Sequence, residues 1–188
     1  MLWQSPPEEG FEYLSAFSIV VEFIILLLAI TVNIALIRLL SVHRITLLSV
    51  GKPKTSWILD GCGVFTERLK NQCDFSERVL FAGTLLEEND RVLKALEKAE
   101  GTIVLLSHTG KEHSSPELAS WLGRQRDIGR PVTFVISGAY GADARVLAKA
   151  HMVLSLSRMT FPHELCKLIF LEQLYRAHAI IAGTGYHH

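Results

Sequence analysis

Four side chains near the C-terminus have the chemistry to act on a substrate: His163, Arg176, Tyr186 and His187. An imidazole exchanges protons near neutral pH. A guanidinium is a fixed positive fork suited to negative charge that develops in a cleft. Tyr186 and His187 belong to the closing run "GYHH", which follows an apolar stretch and two glycines, Gly183 and Gly185, where most chains fray into polar residues. Each has a plainer reading beside it. His163 alone reads as a surface histidine, and Glu172 with Arg176, four residues apart, as a solvated ion pair on a helix face.

Two further stretches are built like ligand loops. "GAYG", with Gly138 and Gly141, follows an apolar run and precedes a helical one, where glycine lets a backbone approach a ligand closely. It is neither GxGxxG nor a P-loop, and an ordinary tight turn explains it equally well. "LSRMTFPHE", Leu156 to Glu164, gives a strand end, a hydroxyl-bearing loop and a Pro162 helix start with Thr160 nearby as a cap.

The elements that must carry these loops alternate in period. Strand-like runs are "RITLLSV" (Arg44–Val50), "RVLFAGT" from Arg78, "TIVLLS" (Thr102–Ser107) stopping at "HTG", "VTFVIS" (Val132–Ser137) and "MVLSLS". Between and after them run helical patterns: "TSWILDGCGVFTERLK", "EENDRVLKALEKAE", "SPELASWLGRQRDIG" with Ser115 as N-cap, "ADARVLAKA", and the long "FPHELCKLIFLEQLYRAHAII". Such alternation predicts an α/β fold, a parallel sheet with helices on both faces. Ligands of these sheets bind beyond the carboxyl ends of the strands, so "HTGKEHSS", "GAYGAD" and "RMTFPHE" are the informative loops.

Composition narrows the class. Cys62, Cys73 and Cys166 are odd in number and form no CxxC, which argues for small buried residues in a reducing cytoplasm rather than a disulfide framework or a metal site. The chain carries 19 basic and 19 acidic residues; residues 1–42 hold one of the former and four of the latter, net −3, leaving 18 and 15, net +3, beyond them. That balance permits RNA binding without demanding it.

The mean hydropathy of +0.27 is raised by one apolar run, Ser18 to Ile37, interrupted by Glu22, Thr31 and Asn33 and close to the length that spans a bilayer. Acidic residues precede it where a secretory signal needs basic ones. Residues 1–42 therefore read as an extension: a membrane anchor, a buried core helix or, preferred here, an over-long reading frame whose protein starts at the Val42 codon. Residues 43–188 read as one domain.

"FVISGAYG", "LSLSRMTFPHELCKLIFLEQLYRA" and the terminal "GYHH", with "ITLLSVGK" at the start, together resemble the bacterial large-subunit rRNA pseudouridine N3-methyltransferases, a SPOUT-class family. The resemblance covers essentially everything after the apolar leader. It implies a C-terminal deep trefoil knot, a homodimer, and S-adenosyl-L-methionine held by Leu106, Ser137, Gly138, Leu156, Ser157, Arg158, Met159, Thr160 and Phe161. It implies methyl transfer to N3 of a pseudouridine in 23S rRNA of the assembled ribosome. In that setting Arg176 is expected to stabilise the enolate-like charge, His163 or His187 to take the proton, and Tyr186 to stack on the base, the tail acting as a hinged lid. Family members commonly have Gly-Gly after strand four where this chain has Ser137-Gly138; a positive φ at the first position would strain the serine. Two rival readings remain: a membrane-tethered, non-catalytic nucleotide-sensing domain, and a SPOUT methyltransferase acting on another RNA such as tRNA.

Overall fold

The computed structural model describes residues 21–30 and 43–187. The chain divides into two units, Met1–Ser41 and Val42–His188. In the first, residues 21–30 form a helix with exposed side chains. The rest of the apolar run, the acidic patch before it and His188 lie outside the described residues. Among the described residues no helix is long and apolar enough to cross a membrane.

The second unit is a five-stranded parallel sheet. Its elements are β1 (Arg44–Val50), α1 (Ser56–Lys70), β2 (Asp74–Leu80), α2 (Leu85–Leu96), β3 (Thr102–Glu112), α3 (Ser115–Asp127), β4 (Val132–Ile136), α4 (Ala144–Leu147), β5 (Met152–Ser155) and α5 (His163–Ala182). The strands lie in the order β2-β1-β4-β3-β5. Side chains of successive strand residues point to opposite faces, and both faces are apolar. Ile45, Leu47, Val104, Leu106, Phe134 and Ile136 pack with buried residues of α1, α3 and α5. Leu48, Val50, Ile103, Leu105 and Val135 pack with those of α2 and α4 on the other side. The three-layer α/β architecture expected from the alternating pattern is therefore present.

Helix α5 ties the first layer together. Phe170, Leu171, Leu174 and Ala177 are fully buried, and the Phe170 ring meets Phe134 of β4 at 4.7 Å between centroids. Truncating such a phenylalanine costs about 3–5 kcal/mol. The helix also supplies what α1 lacks at its start. Thr55 makes no side-chain cap, and Glu164 accepts from the amides of Lys54 at 3.0 Å and Thr55 at 3.3 Å instead. Deeper in, Lys167 is buried and paired with Glu77 of β2, which also accepts from Ser49 of β1.

Several boundaries differ from the sequence expectation, each for a local reason. Strand β2 begins at Asp74 rather than Arg78, because pairing with β1 runs from Arg44↔Asp74 and needs only backbone groups. The N-cap of α3 is Ser114, not Ser115; its hydroxyl accepts from Glu117 N while Glu117 accepts from the Ser114 amide, a reciprocal capping box. Thr160 does not cap α5, whose N-cap is Pro162 with no side-chain cap bond. The largest difference is in β3, which does not stop at "HTG" but continues to Glu112. Leu106 and Lys111 both stand opposite Leu154 of β5, so residues 107–110 bulge out of the ladder between them. Gly110 makes the return possible, since a β-carbon there would stand 2.7 Å from the Val153 carbonyl oxygen.

Candidate functional site

The bulge opens a cavity of about 490 Å³ at the carboxyl ends of β3, β4 and β5. Three loops wall it: Leu106 to Thr109 from the bulge, Ser137 to Ala142 after β4, and Leu156 to Phe161 before α5, with His163 and Cys166 from the first turn of α5. These are the loops the strand-end rule selects. The walls mix apolar side chains with a few polar groups, the usual make-up of a small-ligand site.

Each loop is held from behind. Ser155 donates to the Ser157 carbonyl at 2.8 Å, and Met159 N donates to Ser157 Oγ at 3.0 Å, shaping the third loop. The second is latched to α2, where Asn89 Oδ1 accepts from Asp143 N at 2.9 Å and Asp90 pairs with Arg145 at 2.8 Å. Asp143 in turn caps α4 by accepting from the amides of Arg145 and Val146. The turn itself depends on two glycines for different reasons. Gly141 takes a positive φ of 78°, while Gly138 lies so close to Glu88 that a β-carbon would stand 2.2 Å from Oε2. Tyr140 and Met159 stand at the cavity rim, 73% and 74% exposed.

Of the residues expected to contact a cofactor, Leu106, Ser137, Gly138, Leu156, Ser157, Met159, Thr160 and Phe161 line the cavity. Arg158 is exposed and does not line it. The strain anticipated at Ser137 is absent, because no non-glycine residue among the described ones has a positive φ. What distinguishes Ser137 is its Oγ, which is buried without a hydrogen-bond partner. His163 lines the cavity too, with Nε2 3.8 Å from where a β-carbon on Gly51 would lie.

Arg176, Tyr186 and His187 are elsewhere. They do not line the cavity of their own chain. Arg176 Nη2 pairs with Glu172 at 2.6 Å and its guanidinium lies 4.9 Å from the Tyr186 ring centre. Tyr186 donates to Glu172 Oε1 at 3.3 Å and meets Tyr175 edge-on at 4.9 Å. So the ion pair suspected from the spacing exists, but it is half-buried under the tail rather than solvated. The Glu172 carboxylate raises the Arg176 pKa, and burial, then the same carboxylate, raises that of the Tyr186 phenol. Gly183 and Gly185, with φ of 66° and 72°, turn the chain back onto α5. His187 is exposed.

Burial disfavours the thiolate at all three cysteines. Burial pushes Cys73 up to about 12 and Cys166 up to about 11, and raises Cys62 as well. His108 and Thr109 belong to the "HTGKEHSS" loop expected at the site, and the β3 bulge brings them to the cavity; Ser107, and Glu88, which touches the turn at Gly138, were passed over in the sequence.

A family model described as "Predicted SPOUT methyltransferase" matches residues 43–187, the whole of the sheet domain just described. The chain belongs to this family. Among curated relatives, the ribosomal RNA large subunit methyltransferase H of Geotalea daltonii is 40% identical over 153 residues, covering 77% of this chain and 99% of that protein. The proteins of the same name from Acetivibrio thermocellus and Pelotomaculum thermopropionicum are 41% and 40% identical, with the same coverage. The SPOUT match therefore falls on the sheet, the cavity and α5, and residues before His43 lie outside it.

Proposed function

We propose that residues 43–188 form a homodimeric methyltransferase that uses S-adenosyl-L-methionine to methylate N3 of a pseudouridine in 23S rRNA, acting in the cytoplasm on the assembled ribosome. Residues 1–42 are an extension outside this domain, and the C-terminal part is threaded as a trefoil knot. The observation that carries the reading is the cavity at the carboxyl ends of β3, β4 and β5, together with relatives named for large-subunit rRNA methylation. The residues present suit the donor. Ser137 Oγ is a buried hydroxyl with nothing to bond, and Gly138 leaves room for a close-lying ligand backbone contact.

When bound, S-adenosyl-L-methionine supplies an electrophilic methyl group. Leu106, Leu156 and Phe161, which line the cavity, would hold its apolar parts and exclude water. Ser137, Gly138, Ser157 and Thr160 offer polar contacts along the same walls. His163, in the cavity wall, takes the proton that N3 must lose. Arg176 stabilises the negative charge left on the ring carbonyls, Tyr186 stacks on the base and His187 assists the proton transfer.

Because Arg176 and Tyr186 do not line their own cavity, they act in the cavity of the partner subunit, with α5 at the dimer interface. A protein lacking residues 185–188 and a His163→Ala protein are each expected to be inactive and folded. Mixed after unfolding and refolding together, they regain about a quarter of the activity, since half of the dimers then hold one complete site. No regain means that the tail serves its own cavity. Transfer of a labelled methyl group to 23S rRNA in whole ribosomes, with N3-methylpseudouridine as product, tests the function itself. Preference for protein-free 23S RNA or for tRNA rejects the assigned substrate.

A further inference from the structure

Behind the cavity lies a carboxylate with no function assigned above. Glu88 projects from α2 and is 4% exposed. Its Oε1 accepts from the Gly83 amide at 3.0 Å, whereas Oε2 is buried with no hydrogen-bond partner. The nearby cations are engaged elsewhere. Arg91 donates to the Phe81 carbonyl at 3.1 Å and faces Glu87 at 3.9 Å, and Arg145 is shared by Asp90 and Asp143. Oε2 points instead at Gly138, where a β-carbon would stand 2.2 Å away. Gly138 itself lines the cavity, so this oxygen abuts a residue of the cavity wall. A buried carboxylate oxygen without a donor is costly, and a positive charge nearby offsets the cost.

We propose that Glu88 is a specificity-determining residue that favours the positively charged methyl donor over its neutral product, acting through the cavity wall at Gly138. The proposal rests on reading the cavity as the donor site. In the transfer the N3 lone pair forms the new bond to the methyl carbon, and the S–CH3 bonding pair returns to sulfur. The sulfonium thus becomes an uncharged thioether. A fixed negative charge close by in a poorly screened interior attracts the first and not the second. Glu88 therefore tightens the donor before transfer and loosens the product after it.

Calorimetry on the purified full chain, with S-adenosylmethionine, S-adenosylhomocysteine and sinefungin, tests this. Sinefungin carries an amine in place of the sulfonium and keeps a positive charge there. Glu88→Gln preserves the shape and an oxygen for the Gly83 amide. The variant should bind S-adenosylmethionine and sinefungin about tenfold more weakly and S-adenosylhomocysteine within a factor of about two. Equal weakening of all three ligands, or no change in any, overturns the proposal. If the variant does not fold, the wild-type protein decides, because equal affinity for sinefungin and S-adenosylhomocysteine overturns it as well. Wild-type protein that binds none of the three rejects the donor-site reading itself, a different failure that takes the selection with it.

Discussion

Among the described residues, two places in the domain hold buried side-chain polar atoms without partners, and they lie at opposite ends of the sheet. At the carboxyl end are Ser137 Oγ and Glu88 Oε2, against the cavity wall. At the amino end, His43, just before β1, faces His178 of α5 with ring centroids 5.9 Å apart. Both rings are buried; neither nitrogen of His43 nor Nε2 of His178 has a partner in good hydrogen-bond geometry, although the Arg130 backbone lies near enough to His43 to act on its charge. The first pair adjoins a cavity where a ligand can supply what is missing. The second pair is enclosed by protein, where burial disfavours the charged form. Burial lowers the His178 pKa to about 4, with His43 and Arg126 adding to it. His43 is lowered as well, first by burial and further by Arg126, with the Arg130 backbone pulling the other way. Unsatisfied groups of the same kind thus signal binding where space adjoins them and pH-dependent stability where none does.

The comparison can be broken first at the amino end. A histidine whose folded pKa is depressed leaves full stability above the unfolded value and loses it as pH falls toward the folded one. From 6.5 to about 4, His178 should therefore cost the domain about 3 kcal/mol as the pH drops across that window. His178→Leu should flatten the slope of stability against pH, measured by denaturant unfolding. An unchanged slope would show that the pair is not what acid attacks. At the carboxyl end the next largest effect is Gly138→Ala, whose added methyl collides with Glu88 and should weaken donor binding by roughly 2 kcal/mol or about 30-fold. That variant should keep the wild-type pH slope, since the two ends are independent. The smallest effect sharpens the contrast. Ser137→Gly relieves no strain, because Ser137 has no positive φ, and its lost hydroxyl should change donor affinity by no more than about 1 kcal/mol. A clear gain in affinity would restore the strain argument.

Much of the sheet was legible because its residues are buried on both faces. "RITLLSV" is apolar enough to mark β1 to the residue, and "VTFVIS" overruns β4 only by Ser137. Where strand residues are mostly polar, as in "DFSE" of β2 and "HTGKE" of β3, the apolar pattern that marks a buried strand is missing although the backbone still pairs. The second of these matters most, since the β3 bulge makes the cavity. The loops flanking the cavity were found from strand-end position, but a loop has an inside and an outside. Arg158 does not line the cavity although its neighbours Ser157 and Met159 do, a fact that spacing could not reveal.

The closing tyrosine and histidines stood out by type alone, and so did Arg176, because charged and aromatic groups on an apolar helix and at a chain end demand a reason. Sequence determined the class of fold, the strand-end loops and these residue types, all of which depend on local period and composition. Only the folded chain decided which groups meet. It placed Tyr186 of the tail against Glu172 and Arg176 of α5, and Glu88 behind Gly138, the first and last contacts spanning 14 and 50 residues. Such meetings follow from how layers pack, and packing distance is not written in sequence distance.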